Sequence, residues 1–170
     1  MIDASRFDQL ANTLYSAAIS DILDDMGLRQ QSMDYAIRPL FPCKMIGRAF
    51  PVLAADVYEI PKEPYKLQLE ALDNLKRGDI FVVNTGSTRA AFWGELISST
   101  ARARGCRGAV IDGLSRDTER IAEMRFPVFS RGFCPVDSKG RIDVIAYNVP
   151  IHCGGVPVNP QDLIFADHDG

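Results

Sequence analysis

The chain has no apolar stretch approaching the roughly 20 residues needed to span a bilayer. Its opening residues, MIDASRFDQLANTLYSAAIS, interleave acids with apolar side chains and show no basic head before an apolar run. No signal peptide is expected there, and the cytoplasm is the expected compartment. Positive charge is not in surplus. Lys plus Arg number 19 against 22 Asp plus Glu, for a net −3, so no diffuse basic surface for nucleic-acid phosphates is expected. Cysteine is sparse: Cys43, Cys106, Cys134 and Cys153 form no CxxC pair or zinc knuckle and are expected to be small buried hydrophobes. The 2 histidines, His152 and His168, lie beside no nucleophile motif such as GxSxG, which disfavours nucleophilic hydrolysis. The run Asp167-His168-Asp169 is expected to be a polar turn rather than a metal cluster. Gly86-Ser87-Thr88-Arg89 lacks the glycine pattern and lysine of a phosphate loop and is expected to support a neighbouring turn. Repeats, low-complexity tracts and composition shifts are also missing, so the 170 residues, 46% of them hydrophobic, are expected to form one domain spanning 1–170.

What is present has a clear order. The first 27 residues read as helix, with Phe7, Leu10, Ala11 and Leu14, then Ala18, Ile19, Ile22, Leu23 and Met26, at helical spacing before Gly27. Ser5 and Ser16 or Ser20 are candidate N-caps. Residues 44–56 (KMIGRAFPVLAAD) read as an extended run bent near Gly47 and Pro51. A second helix is expected from about Tyr65 to Lys76, with Leu67, Ala71, Leu72 and Leu75 on one face and Gly78 beyond its end. Then IFVV (80–83) reads as a buried strand, Phe92 to Arg104 as a helix striped by Trp93, Ile97 and Ala101, and AVI (109–111) as the next strand. A turn is expected at Asp112-Gly113 and a short helix over Asp117 to Met124. Strand, helix, strand, helix implies a partly parallel sheet. FPVFS, RIDVIAYNVPIH and DLIFA make the last third strand-dominated.

Two expected turns carry the chemistry, since both precede helices and fall at the same end of neighbouring strands. In the first, the amides of Gly94, Glu95, Leu96 and Ile97 lie near a helix start, where unpaired N–H groups favour an anion such as a carboxylate. In the second, Asp117 can offer oxygen to a hard cation, Mg²⁺ or Mn²⁺, which keeps several waters. Arg116 beside it is a permanently charged fork suited to a carboxylate or a developing oxyanion. Glu95 lies across the gap, positioned to hold water or act as a base. On the residues alone, a capping Asp117 and a solvated Arg116 ion pair remain the alternative.

The ordered motifs narrow this. GEL at Gly94-Glu95-Leu96, then RGCRGAVIDG, then Arg116-Asp117, resembles the RraA-like family and its class II 4-hydroxy-4-methyl-2-oxoglutarate/4-carboxy-4-hydroxy-2-oxoadipate aldolases. AAISDILDDMG, GRAFPV, RGDIFVVNTG, FPVFSRG and GGVPVNPQDLIFADHDG are similar to that family's flanking segments. The resemblance covers nearly the whole chain. It implies an α/β, three-layer swivelling β/β/α domain: a central mixed sheet, helices on one side and a strand-rich C-terminal third. It also implies a homotrimer or hexamer with sites at subunit interfaces. The matching turn Gly94–Ile97 and Arg116 would hold the pyruvoyl part of a small 2-oxo acid, and Asp117 the divalent metal. The implied reactions are retro-aldol release of pyruvate from 4-hydroxy-2-oxo acids and oxaloacetate decarboxylation.

Two departures stand out. Arg120 occupies a position where many family enzymes carry an acid, and Glu119, one residue earlier on a helix, points roughly 100° away. Family members also usually continue past the closing His168-Asp169-Gly170, so a C-terminal extension is expected to be missing. The rival from another class is a regulatory binding protein of the ribonuclease-inhibitor type, with a ribonuclease as partner. A demethylmenaquinone methyltransferase reading meets no glycine-rich SAM-binding signature.

Overall fold

IFVV and AVI, too short for helices and flanked by turn residues, lie in the central strands of a mixed sheet in the computed structural model, which describes residues 4–170. The elements in order are α1 (Ala4–Thr13), α2 (Ser16–Asp25), β1 (Arg38–Pro39), β2 (Met45–Asp56), α3 (Lys66–Asp73), β3 (Asp79–Asn84), β4 (Ala91–Trp93) and α4 (Glu95–Ala103). They continue as β5 (Gly108–Ser115), α5 (Thr118–Glu123), β6 (Val128–Phe133), β7 (Ile142–Tyr147), β8 (Ile151–Cys153), β9 (Val156–Val158) and β10 (Leu163–Ala166). The main sheet runs β1-β6-β5-β3-β2-β10, with β4 added to β5 and β7 added to β2. Its centre, β2-β3-β5-β6, is parallel, while β1, β7 and β10 pair antiparallel at its margins.

Strand alternation divides the core into two faces. Phe81 and Val83 point into one, with Phe50, Val52, Ile111 and Val128, and helices α3, α4 and α5 cover it with Ala71, Leu72, Ala101 and Ile121. Ile80 and Val82 point into the other, with Ala49, Val110 and Phe129. There the β8–β9 hairpin closes the core through Ile151, Cys153 and Val158. Helices, sheet and hairpin give the three layers expected, with strands dominating the last third. Each fully buried large apolar side chain contributes about 1.5–3 kcal/mol, which is why strands buried on both faces read as unbroken apolar runs.

Several local expectations are corrected. The opening helix is two helices, because Tyr15 is extended and Asp167 takes both the N–H (2.8 Å) and the hydroxyl (2.7 Å) of Ser16. Lys44 also donates to the Leu14 carbonyl, so long-range bonds replace the helical ones at the break. Ser5 falls within α1, and its side chain lies outside the described residues. Ser16 begins α2 but does not cap it with its own hydroxyl, and Ser20 is inside the helix. Phe92 and Trp93 are strand, not helix, since β4 pairs with Leu114 and Ser115 before α4 begins. Asp112-Gly113 is no turn: β5 runs on to Ser115, and Gly113 is there because the buried Thr85 side chain fills the space of a Cβ.

Residues 45–56 form one strand through Gly47 and Pro51. Its partner changes instead, from β10 opposite 45–48 to β7 opposite 52–56, and Pro51, with no N–H to give, sits at the changeover. RIDVIAYNVPIH splits into β7 and β8 at Asn148, which has φ +55°.

Candidate active site

The C-terminal ends of β4 and β5 lie side by side, and each leads directly into a helix. The Arg116 amide donates to the Trp93 carbonyl at 2.9 Å, locking the two turns together. Trp93 anchors the first turn: it is fully buried, its indole N–H donates to Ser98 Oγ at 2.7 Å, and its ring stacks on Phe126. Gly94 then caps α4 in an extended conformation, so its glycine answers to space rather than to backbone sign. A Cβ at Gly94 would stand 2.7 Å from Asp117 Oδ2 and 3.2 Å from Arg116 Cγ.

Asp117 does not cap the helix that it begins. Its side chain makes no bond to α5; instead Oδ2 accepts the Glu95 N–H across the gap at 3.1 Å. The carboxylate therefore sits at the positive end of α4, and the residue holds φ +56°, an αL conformation that Asp tolerates better than most. Glu95 opens α4 beside it and, among the described residues, its carboxylate has no ion-pair partner. The amides of Leu96 and Ile97, in the same first turn, likewise have no acceptor among the described residues. The Leu96 side chain is exposed and Ile97 leans on the core. Gly94, Glu95, Leu96, Ile97, Arg116 and Asp117 are thus brought together.

Arg116 is half-buried, its Nε 3.6 Å from Asp117 Oδ2 and its Nη2 3.3 Å from Asp137 Oδ1. Asp137 also accepts the Tyr65 hydroxyl at 2.6 Å. Burial acts to raise the Asp137 carboxyl, but the Tyr65 bond, the Arg116 charge and two backbone amides outweigh it and hold the group below its usual range. Burial, then the bond to Asp137, pushes the Tyr65 hydroxyl up to about 12, so it stays a donor. Neither residue was legible as a site residue. In the sequence Tyr65 reads as a helix start and nothing marks Asp137; the one hint, an αL Tyr65 at φ +64°, exists only in three dimensions.

Arg120 pairs with Glu123 at 3.2 Å on the exposed face of α5, so it takes no part in the Arg116–Asp117 cluster. The Asp167–Asp169 segment is a turn whose first carboxylate ties down α2. The thiols are free, and burial pushes Cys43 and Cys106 up to about 11 and Cys153 to about 12, which suits packing and not nucleophilic attack. The well-formed recesses lie elsewhere. An apolar groove of about 310 Å³ runs between α2 and β10, and a recess of about 620 Å³ is edged by Arg77, Arg102, Arg104 and Arg107; neither includes Gly94, Arg116 or Asp117. The chemistry, not the cavity, identifies this site.

A divalent ion would find no ready-made cage of side chains here. Among the described residues no three His, Cys, Asp or Glu side chains gather into a cage. Asp117 has one oxygen engaged by the Glu95 amide and the other uncommitted, which fits an ion that takes one protein oxygen and keeps waters and substrate for the rest.

Comparison with known proteins places this geometry in a family. The family described as RraA-like, Aldolase/RraA, matches residues 16–170. An uncharacterized protein of Methanocaldococcus jannaschii is 44% identical over 89 residues, 52% of this chain and 42% of its own length, so the match spans under half of that relative. A Halalkalibacterium halodurans protein named "Putative 4-hydroxy-4-methyl-2-oxoglutarate aldolase" is 32% identical over 162 residues, 93% of this chain and 71% of its own. Streptomyces coelicolor RraAS2, described as an unusual member of the RNase ES inhibitor RraA protein family, superposes with a TM-score of 0.84 at 29% identity, covering 100% of this chain and 85% of its own. With a fold shared end to end and a family match that contains both site turns, the chain belongs to the RraA-like (Aldolase/RraA) family.

Proposed function

We propose that this chain is a divalent-metal-dependent carbon–carbon lyase acting on a small 2-oxo acid. The observation that carries the reading is the Asp117 carboxylate held across the α4 N-terminus, with Arg116 and the free Leu96 and Ile97 amides around it. Asp117 would hold Mg²⁺ or Mn²⁺, which when bound supplies Lewis-acid polarisation of the 2-oxo group. The amides of Leu96 and Ile97 bind the substrate carboxylate at the positive end of the helix. Arg116 directs its fork at the oxygen on which negative charge develops as the C3–C4 bond breaks. Glu95 takes the proton of the 4-hydroxyl, whose oxygen becomes the carbonyl of the departing fragment. The electrons of the broken bond pass to the pyruvate enolate, and protonation at C3 gives pyruvate. Oxaloacetate decarboxylation needs the same enolate without the base.

The relative named as an aldolase supports this reading, and the gathering of Glu95, Arg116 and Asp117 at the start of α4 supports it further. The likeness to RraAS2 favours a second reading, regulatory binding to a ribonuclease. One screen separates them: pyruvate release from 4-hydroxy-2-oxo acids and oxaloacetate, with Mg²⁺ or Mn²⁺ and with EDTA. Metal-dependent release above the free-ion background is expected. No release from any of these substrates, together with inhibition of a ribonuclease, would leave the binding reading in its place.

A further inference from the structure

Arg116 has five N–H donors, and what it can grip depends on which edge of the fork is free. Its Nε faces Asp117 at 3.6 Å and its Nη2 faces Asp137 at 3.3 Å, so the side edge lies between two carboxylates. The end edge, Nη1 and the second Nη2 hydrogen, is left for a ligand. Asp117 follows Arg116 in the chain and cannot be removed from its side. Asp137 comes from the loop between β6 and β7, twenty-one residues away, and has its own support in the Tyr65 hydroxyl at 2.6 Å. Tyr65 adopts φ +64°, a conformation that is rare for a bulky residue and persists where surrounding contacts enforce it. Asp137 stays ionised and Tyr65 stays protonated across the working range of pH, for the reasons given above.

We propose that Asp137, seated by the Tyr65 hydroxyl, is a positioning residue that aims the Arg116 fork at the carboxylate or developing oxyanion of the substrate. The inference rests on the lyase reading and adds two residues to it. It also makes a prediction of sign. Charge alone would have Asp137 hinder an anionic ligand, since it offsets Arg116; removing it would then tighten binding. Orientation has the opposite effect, because a guanidinium released from Asp137 swings among rotamers and loses its two-donor geometry.

The test is a double-mutant cycle of Asp137→Asn and Tyr65→Phe, read by steady-state kinetics with oxaloacetate and by calorimetric titration of oxalate, both in Mg²⁺. Circular dichroism and thermal melts establish that each variant is folded. Asp137→Asn is expected to lower kcat/KM and to weaken oxalate by about tenfold, the scale of one charge-assisted interaction. Tyr65→Phe should shift both in the same direction by less, and the double variant should match Asp137→Asn alone, because Tyr65 acts through Asp137. Should Asp137→Asn fail to fold, Tyr65→Phe and its kcat against KM carry the test. Oxalate binding that is unchanged or tighter in folded Asp137→Asn, with kcat/KM intact, overturns the positioning role while the lyase reading stands. A wild-type chain that neither turns over oxaloacetate nor binds oxalate overturns both.

Discussion

At the scale of single residues, the site is held by close approach. Gly94→Ala places a methyl group 2.7 Å from Asp117 Oδ2 and 3.2 Å from Arg116 Cγ, so both side chains must move although the backbone at 94 accepts any residue. We expect a folded protein destabilised by about 1–3 kcal/mol, the usual cost of overpacking, with 2-oxo acid turnover lost far beyond that. Denaturant melts set against pyruvate release check it; full turnover in the alanine variant would show that Asp117 and Arg116 need not sit where they do. Asp117→Asn is the sharper change. Its Oδ1 can still accept the Glu95 N–H, so the turn survives, but the charge for a cation is gone. Calorimetric Mg²⁺ or Mn²⁺ titration should show weakened binding, and metal-dependent pyruvate release should fall at least about 100-fold. Equal metal binding and turnover in the variant would remove the lyase reading.

At the scale of elements, the sequence showed what local patterns determine and missed what distant partners impose. IFVV and AVI were readable because strands buried on two faces leave unbroken apolar runs. The break at Leu14-Tyr15 was not, because its cause is Asp167, more than 150 residues along the chain. Trp93 kept helical spacing with Ile97 and Ala101, yet parallel pairing to Ser115 made it strand. The cluster around Arg116 followed the same rule. Gly94, Glu95, Arg116 and Asp117 sit in motifs at or near the starts of predicted helices, whereas Asp137 and Tyr65 join only through the fold. The Asp167 tie has a measurable consequence. Burial acts to raise Asp167, but the two bonds from Ser16, the Asp169 amide and the Lys44 charge hold its carboxyl below the usual range. A depressed folded pKa contributes stability that is present above the unfolded value, near ~3.9, and lost as pH falls through the lower folded value. Hydrogen exchange across α2 should therefore quicken in wild type below about pH 4. Asp167→Asn should lose about 1–2 kcal/mol at neutral pH, the scale of a helix cap, and show no such acid step. Equal melting of both proteins at pH 7 would show that α2 is held by its apolar face alone.

At the scale of the whole molecule, the surface carries more apolar area than its layers use. None of the residues of α2 is buried; Ile22 and Met26 on it are 57% and 66% exposed, and Leu96 at the candidate site is 77% exposed. No helix among the described residues is long and apolar enough to cross a membrane. Beside the site, Phe133 at the end of β6 and Val136, one residue from Asp137, stand exposed. A lone 170-residue chain leaving such side chains in water would forgo about 25 cal/mol for each Å² of apolar surface that a second copy could cover. The exposure of the site points the same way, because the Asp117 side chain and Leu96 both stand open to solvent. We expect a homotrimer or a pair of trimers in solution, with apolar residues around the site turned toward a neighbouring subunit, which would also place that neighbour where it meets the part of the substrate beyond the pyruvoyl unit. Light scattering at micromolar concentration measures the state directly. Phe133→Glu, outside the Arg116 and Asp117 contacts, should then lower the mass and reduce pyruvate release together, while Met26→Glu on α2 reports whether that helix belongs to the same interface. A wild-type chain that runs as a monomer yet turns over substrate would show that one copy builds the entire site.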